Sequence, residues 1–459
     1  MRVFEWLFLL VFTPILLIPF IPHTWRRRWL IVSALLPILM GGIHLIAEGW
    51  RIQMAPLYML AVLALAGRLP ELLGREGVRR GRGILVSGVT ALFLIFSGLL
   101  AGWLLPVVTL PDPTGPYQVG IVDRELVDEA RGRRLMVSIW YPAAQGGKPA
   151  PFTHYPDEVA TGLGKLSGLP GLPFQHLRYF KLAASEGAPP LEDGAPFPIL
   201  VFSHGMVGLR LQNSSTLQDL ASWGYVVVAI DHTDAAAVTV FPDGETRYYD
   251  LERFGIDPAD GAPDKALVDE RVFPAWVADQ RFVYDMLETW AVDDPLFAGK
   301  LDLTRIGSFG HSFGGATALE VCLVDTRCRA AVDMDGGLYG TIMTQPAVRP
   351  LLLMSSAESG KLPDAVEKWK SMVANANVPA YWLELPNSTH FSFTITQLLS
   401  PLLVPKDFDP RDGLHIVDKY LRIFFDMYLR DVETPSLEPA SAETDVRWFT
   451  KSRLYSPDK

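Results

Sequence analysis

The sequence predicts an α/β protein: a doubly wound, mostly parallel sheet preceded by an all-α transmembrane domain of about four helices. Three observations carry this expectation. Four long apolar runs, nearly free of charge, fill the first 111 residues. From residue 197 onward, short apolar runs rich in β-branched residues alternate with amphipathic stretches of helical period, the pattern of parallel strands covered by helices on both faces. One of those runs, 303–309, leads straight into Gly310-His311-Ser312-Phe313-Gly314, and a helix-like stretch, 315–323, follows at once.

The N-terminal runs are residues 4–22, 29–49, 54–73 and 84–108. Each approaches the roughly 20 apolar residues that a helix needs to cross a hydrocarbon core of about 30 Å. No basic leader or small-residue cleavage site accompanies the first run, so it reads as a span and not as a cleaved signal. Arginine placement orients the set. Arg26, Arg27 and Arg28 fall in the first loop, and Arg68, Arg75, Arg79, Arg80 and Arg82 in the third, whereas the other side offers only Arg2 and Arg51. Arginine-rich loops stay cytoplasmic, which puts both termini, and everything after residue 111, on the extracytoplasmic side of a multi-pass cell-membrane protein. His44 and Glu48 lie near the end of the second run, where ionisable side chains pair or snorkel to the interface. The first 111 residues hold ten arginines against four acidic groups, a net of +6 within a whole-chain charge of −10, so the remainder carries −16. A domain that acidic repels phosphate backbones and argues against nucleic acid as a partner.

Leu110-Pro111-Asp112-Pro113-Thr114-Gly115-Pro116 stops the last apolar run and marks the domain boundary. Residues 1–111 are then the transmembrane domain, 112–430 an α/β domain and 431–459 a polar tail. Strand-like runs at 117–124 and 134–141 open the α/β domain. Residues 144–195, rich in Gly and Pro with scattered aromatics, read as irregular, a lid or a pocket wall. Strands follow at 199–202, 225–230, 304–309, 330–334, 350–354 and 380–385, interleaved with helices at 213–223, 270–290, 315–323, 363–374 and 414–430. Ligands of such sheets bind at the carboxyl ends of the strands, which is where Ser312 falls.

Gly310 and Gly314 let strand and helix approach closely around a sharp turn, the nucleophile elbow of α/β-hydrolases. Ser312 is the expected nucleophile. A serine hydroxyl needs a base within hydrogen-bond reach and a carboxylate to orient that base, in the chain order Ser, acid, His. Only His390 and His415 follow Ser312. His390 lies in a polar loop after the last strand and is preferred as the base; His415 starts a long helix. For the acid, Asp335 sits just past a strand end and before the Gly336-Gly337 turn, and is preferred over Asp333, inside the strand, and Glu358, after the next one. The oxyanion of an acyl-transfer transition state needs N–H donors. Phe313 supplies one, and Ser203-His204-Gly205-Met206, directly after the strand at 199–202, supplies the other through Met206. His232 and Asp234 end a neighbouring strand and are assigned no chemistry.

Phe202-Ser203-His204-Gly205, Asp231-His232-Thr233-Asp234, Gly310-His311-Ser312-Phe313-Gly314-Gly315, Asp333-Met334-Asp335-Gly336 and Thr389-His390-Phe391-Ser392-Phe393 together resemble the platelet-activating factor acetylhydrolase family, in its plasma/type II branch and bacterial relatives. The resemblance covers about residues 117–430. It implies that Ser312, Asp335 and His390 match the family's triad and Met206 and Phe313 its oxyanion-hole positions. It also implies a phospholipid ester with a short or oxidised sn-2 chain as substrate. Gly336-Gly337 departs from the bulky residue expected after the acid, and the N-terminal membrane domain is outside the family's usual plan.

No His, Asp, Glu or Cys spacing suits a metal, and no Gly-rich loop opens a helix as a dinucleotide cradle, so no metal or cofactor is expected. The two cysteines, Cys322 and Cys328, either form one disulfide or remain buried thiols. The expected partners are a lipid or small ester and the bilayer; the pattern specifies no oligomeric state. The expected activity is that of a membrane-anchored serine ester hydrolase. The alternatives are a general carboxylesterase or cutinase-like polyester hydrolase, an acyltransferase to a cell-envelope acceptor, and, from another class, a binding module that keeps the fold without the chemistry.

Overall fold

Buried runs such as Val226–Asp231 and Phe197–Ser203 are too short and too β-branched for helices and bury every residue, as central strands of a two-faced sheet must. The structure, a computed structural model, describes residues 1–17, 20–72, 80–250, 265–432, 437 and 446–449. Its strands are β1 (Gln118–Asp128), β2 (Arg133–Ala143), β3 (Lys148–Pro151), β4 (Lys181–Glu186), β5 (Phe197–Ser203), β6 (Val226–Asp231), β7 (Val238–Val240), β8 (Thr246–Tyr248), β9 (Leu301–His311), β10 (Cys328–Met334), β11 (Leu351–Ser356), β12 (Ala380–Leu385) and β13 (Arg447–Phe449). All but the β7–β8 hairpin join one 11-stranded sheet, in the order β13-β12-β11-β10-β9-β5-β6-β2-β1-β4-β3.

The six strands from β6 to β12 run parallel, and β2 and β13 close that block on either side in antiparallel pairing. Alternation along a strand sends side chains to opposite faces. On β5, Leu200 and Phe202 enter one core with the helices Ser214–Ser222 and Pro410–Leu429. Ile199 and Val201 enter the other, with Phe273–Asp293, Phe313–Val324 and Pro363–Asn375. This is a mixed, parallel-rich α/β-hydrolase sheet. The strand order reverses between β5 and β9, so the loops after those two strands meet at the switch point, where such sheets bind ligands.

Several expectations are corrected. Of the four expected spans, two helices among the described residues are long and apolar enough to cross a membrane, Ile31–Glu48 and Leu85–Leu104. The first run instead breaks into Val3–Leu10 and Thr13–Leu17. Pro14 sits in the first turn of the second piece, where a proline is tolerated but cannot continue the helix before it. The third forms the helix Ala55–Leu72, and the apolar stretch there is short, Ile52–Leu63, beginning in the turn before the helix. Arg75, Arg79 and most of the expected tail lie outside the described residues. Within that tail, Arg447–Phe449 forms the sheet's edge strand and Trp448 is buried. Residues 144–195 are not irregular: they hold β3, β4 and the helix Pro156–Ser167, and extend the sheet at its far edge. Cys322 and Cys328, at either end of the turn after the helix Phe313–Val324, are joined in a disulfide.

Candidate active site

Ser312 stands between the end of β9 and the helix Phe313–Val324 with φ 57° and ψ −124°, a left-handed conformation that a non-glycine residue adopts only where its surroundings hold it there. Its N–H donates to Met334 O across the sheet at 2.9 Å. The glycines beside it have no room for a side chain. A Cβ on Gly314 would lie 2.1 Å from Ser203 O, and one on Gly310 2.3 Å from the Gly314 carbonyl carbon. Behind the elbow, the Phe313 ring packs edge-on against Trp276 at 4.9 Å and Tyr339 at 5.1 Å, fixing the first turn of the helix. That turn presents its free N–H groups and the positive end of its dipole beside Ser312.

Of the three carboxylates weighed from the sequence, Asp335 is the one beside the imidazole: its Oδ2 lies 2.7 Å from His390 Nδ1. Asp335 also accepts from the Ser356 N–H at 2.6 Å, the Ser356 hydroxyl at 3.0 Å and the Ser359 hydroxyl at 2.9 Å. Burial alone would raise its pKa. The hydrogen bond and charge of His390, with the serine donors, outweigh that and hold it below the ordinary aspartate value. Glu358 accepts from the backbone N–H of His390 at 3.1 Å, so it braces the loop and not the ring. Asp333 lies beneath the elbow and accepts from Gly336 N–H at 2.8 Å; burial pushes its carboxyl well above the ordinary aspartate value. His415 is exposed on the helix Pro410–Leu429, and His232 and Asp234 are buried away from the cleft.

Sequence reasoning missed three contributors. Ser356 and Ser359 complete the Asp335 cage, and the small polar run Ser355-Ser356 at a strand's carboxyl end was the available signal. His311, inside the pentapeptide itself, lies with its ring centre 4.5 Å from that of His390. Burial, with His390 next to it, pushes His311 down to about 3, so it is neutral. The Gln212 amide donates to its Nδ1 at 2.9 Å, which leaves Nε2–H to donate to His390 O at 2.8 Å and tie the His390 loop to the elbow.

The loop after β5 abuts the same point, since a Cβ on Gly205 would stand 3.1 Å from Ser312 Cβ. Burial, then the neighbouring His232, drives His204 down to about 3. The neutral ring accepts from His232 N–H at Nε2, 3.2 Å away, and donates from Nδ1 to Gly205 O at 2.6 Å. Gly208 N–H donates to the same oxygen at 2.8 Å. A trans peptide points its N–H opposite its C=O, so both anchors aim Met206 N–H away from themselves. His232 is held in turn by Asp279 at 3.1 Å and by Ser203 Oγ at 3.1 Å. Replacing His204 by alanine should therefore lower kcat roughly ten- to a hundredfold with little change in KM, within the range of a lost oxyanion donor. An unchanged kcat would remove that role.

Ser312, Phe313 and Met206 open onto a cleft of about 790 Å³, a size usual for ligand sites. Its wall is apolar and aromatic, from Leu338, Tyr339 and Met343 after β10 and from Leu362 and Trp369 on the far side, with Lys368 and Asp364 at the polar margin. Trp369 Nε1–H donates to Gly336 O at 3.2 Å and joins that helix to the acid's turn. None of residues 144–195 lines the cleft among the described residues, so the expected lid is not there.

The family model for platelet-activating factor acetylhydrolase, isoform II, matches residues 105–249 and 291–424, more than half of the chain. Platelet-activating factor acetylhydrolase from Cavia porcellus is 24% identical over 358 residues, covering 70% of this chain and 78% of that protein. A probable 1-alkyl-2-acetylglycerophosphocholine esterase from Arthroderma benhamiae is 29% identical over 281 residues, 56% of this chain and 66% of its own length. Among solved structures, a ferulic acid esterase from Streptomyces cinnamoneus superposes with a TM-score of 0.60 at 28% identity, covering 75% of this chain and all of that one. With a strained serine elbow, a histidine–aspartate pair and an apolar cleft converging at the sheet's switch point, the chain belongs to the platelet-activating factor acetylhydrolase, isoform II, family and is a serine ester hydrolase.

Proposed function

We propose that this protein is a membrane-anchored esterase that removes short or oxidised sn-2 acyl chains from phospholipids. Ser312 Oγ attacks the ester carbonyl while His390 takes its proton. Asp335 holds the imidazole by its Nδ1–H and stabilises the imidazolium, and the N–H groups of Met206 and Phe313 hold the oxyanion. The tetrahedral intermediate collapses as His390 returns the proton to the departing glycerol oxygen. Water, activated by the same histidine, then frees the acid from the acyl-enzyme. The carrying observation is the 2.7 Å His390–Asp335 contact together with the apolar cleft that Ser312 lines.

Membrane anchoring is supported by helices that leave most of their apolar side chains unburied, Leu39 at 61%, Leu85 at 67% and Ile46 at 89% exposure among them. Such a surface belongs in lipid. With two spans, the six arginines between them, against four before the first, support an extracytoplasmic catalytic domain. External protease should then digest that domain in right-side-out vesicles; protection until the vesicles are opened would overturn the orientation.

A second reading, a carboxylesterase for aromatic or other non-lipid acyl groups, is favoured by the aromatic wall of Phe313, Tyr339 and Trp369 and by the likeness to a ferulic acid esterase. Steady-state hydrolysis by the full chain separates the two. The phospholipid reading expects a short sn-2 phosphatidylcholine to be turned over faster than a butyrate aryl ester or a hydroxycinnamate ester. Turnover of the aryl or cinnamate esters alone would sink it.

A further inference from the structure

We infer that Asn213 is a positioning residue for His390, and that the helix it opens, Ser214–Ser222, is itself set by the segment leading in from the last apolar helix. The inference rests on the reading of His390 as the base and adds what aligns it. Asn213 is buried, at 1% exposure, and stands at the N-cap of that helix. An asparagine there ordinarily accepts from the N–H groups of the first turn. This one makes no such bond. Its Nδ2 donates instead to Phe393 O at 2.7 Å, and its Oδ1 accepts from Gln212 Nε2 at 3.2 Å. The turn His390–Phe393 is thereby held at both ends: Asn213 takes Phe393 O, while His311, itself bonded to Gln212, takes His390 O. Just beyond the turn, Ile395 N–H donates to Gln212 O at 3.1 Å. A buried carbonyl that loses its donor still bears its desolvation cost, so the turn shifts when the Asn213 amide is removed.

The other end of the same helix is pinned by Pro111-Asp112-Pro113-Thr114-Gly115, the segment that follows the apolar helix Leu85–Leu104. Gln218 Nε2 donates to Pro111 O at 2.9 Å. Asp219 Oδ1 accepts from the Thr114 N–H at 2.7 Å and from its hydroxyl at 2.8 Å. Ser222 Oγ accepts from Gly115 N–H at 2.9 Å, and Ser222 O accepts from Tyr117 N–H at 3.0 Å. Trp223 Nε1–H donates to Thr114 Oγ1 at 2.9 Å. A Cβ on Gly115 would stand 2.3 Å from Ser222 O, so only a glycine lets the segment lie this close. All nine residues of the helix are buried. A close-packed helix of about 13 Å does not absorb a displacement of one end by bending; it moves whole. The connection to the apolar helices and the backbone of the candidate base are therefore joined through one buried helix.

The test uses the full-length chain and a butyrate aryl ester, whose turnover does not depend on the phospholipid reading. Asn213→Ala should lower kcat about ten- to a hundredfold with KM within about twofold, the scale on which a misplaced catalytic group acts. Asp219→Ala, which releases Thr114 at the far end, should lower kcat about three- to tenfold. Asp219→Asn keeps an acceptor there and should restore it. In the Asn213→Ala background the turn is already released, so adding Asp219→Ala should cost less than it does alone, as coupled sites do. Thermal melts read folding separately, and rates are taken well below every transition. A folded Asn213→Ala chain with kcat within about twofold of wild type overturns the positioning. Losses that multiply in the double variant overturn the part played by the linking segment, as does equal kcat in Asp219→Ala and Asp219→Asn; the latter comparison decides even where Asn213→Ala does not fold. His390→Ala reads the base itself. If it keeps the wild-type kcat, the base reading falls and this inference with it; if it is inactive while Asn213→Ala is not impaired, the positioning alone is overturned.

Discussion

Ser312→Ala is expected to lower kcat on any carboxylic ester by about a million-fold while the chain stays folded, the scale reached when a serine nucleophile is removed from an intact triad. The substitution deletes one oxygen from a partly exposed side chain. The bond that ties the elbow to β10 runs from the Ser312 backbone N–H to Met334 O and survives it. The strained φ of 57° remains with alanine, so no relief of strain should mask the chemical loss. Residual turnover of roughly a thousandfold or more over water should persist from the oxyanion donors. The measurement pairs kcat with a thermal melt and with fluorophosphonate labelling of both proteins. Activity retained within tenfold, or labelling of the Ser312→Ala variant at the wild-type rate, would move the nucleophile elsewhere.

Three carboxyl-to-amide substitutions should separate sharply. Asp335→Asn keeps shape and volume but turns an acceptor into a donor 2.7 Å from His390 Nδ1. The ring must then accept at Nδ1 and carry its proton on Nε2, the tautomer that cannot take a proton from Ser312. The expected loss in kcat is roughly a thousand- to ten-thousandfold. Glu358→Gln should keep most activity, since an amide oxygen still accepts from the His390 backbone N–H.

Asp333→Asn should keep activity and gain stability as the pH rises. The folded-state pKa of Asp333 is raised above its unfolded value, so its contribution is fully present below about 3.8 and is lost as pH rises towards the folded pKa. In that window wild type loses stability with rising pH on this account, and the amide does not. Melting both proteins from pH 5 to pH 8 checks it. A full loss of activity in Asp333→Asn with none in Asp335→Asn would reassign the acid.

Motif and period make the α/β domain legible. The central strands and their helices follow from runs whose apolar patterning belongs to one secondary structure only, and the expected run at 380–385 coincides with β12. Ser312 and its glycines are legible because the pentapeptide is contiguous in sequence, although only Gly310 meets the elbow itself, at Gly314, while Gly314 is kept small by Ser203 at the end of β5. The excursion at 144–195 reads as irregular because Pro and Gly are abundant in it. Yet Pro156 starts a helix and Gly168 ends it in the left-handed conformation, which are helix-boundary uses of those residues. Hydropathy over-counts the N-terminal spans because it sums composition over a window, whereas a helix also needs an unbroken backbone through Thr13-Pro14.

What the sequence determined by itself was the class of fold, the family and the residue types of the chemistry, since each rests on periodicity or on contacts a few positions apart. Only the tertiary structure decided which carboxylate faces His390, how His204 and His311 are kept neutral by burial, and what walls the cleft. Each of these joins residues distant in the chain, and a side chain's partner and its pKa are set by the neighbours the fold brings within a few ångströms, which linear spacing does not encode.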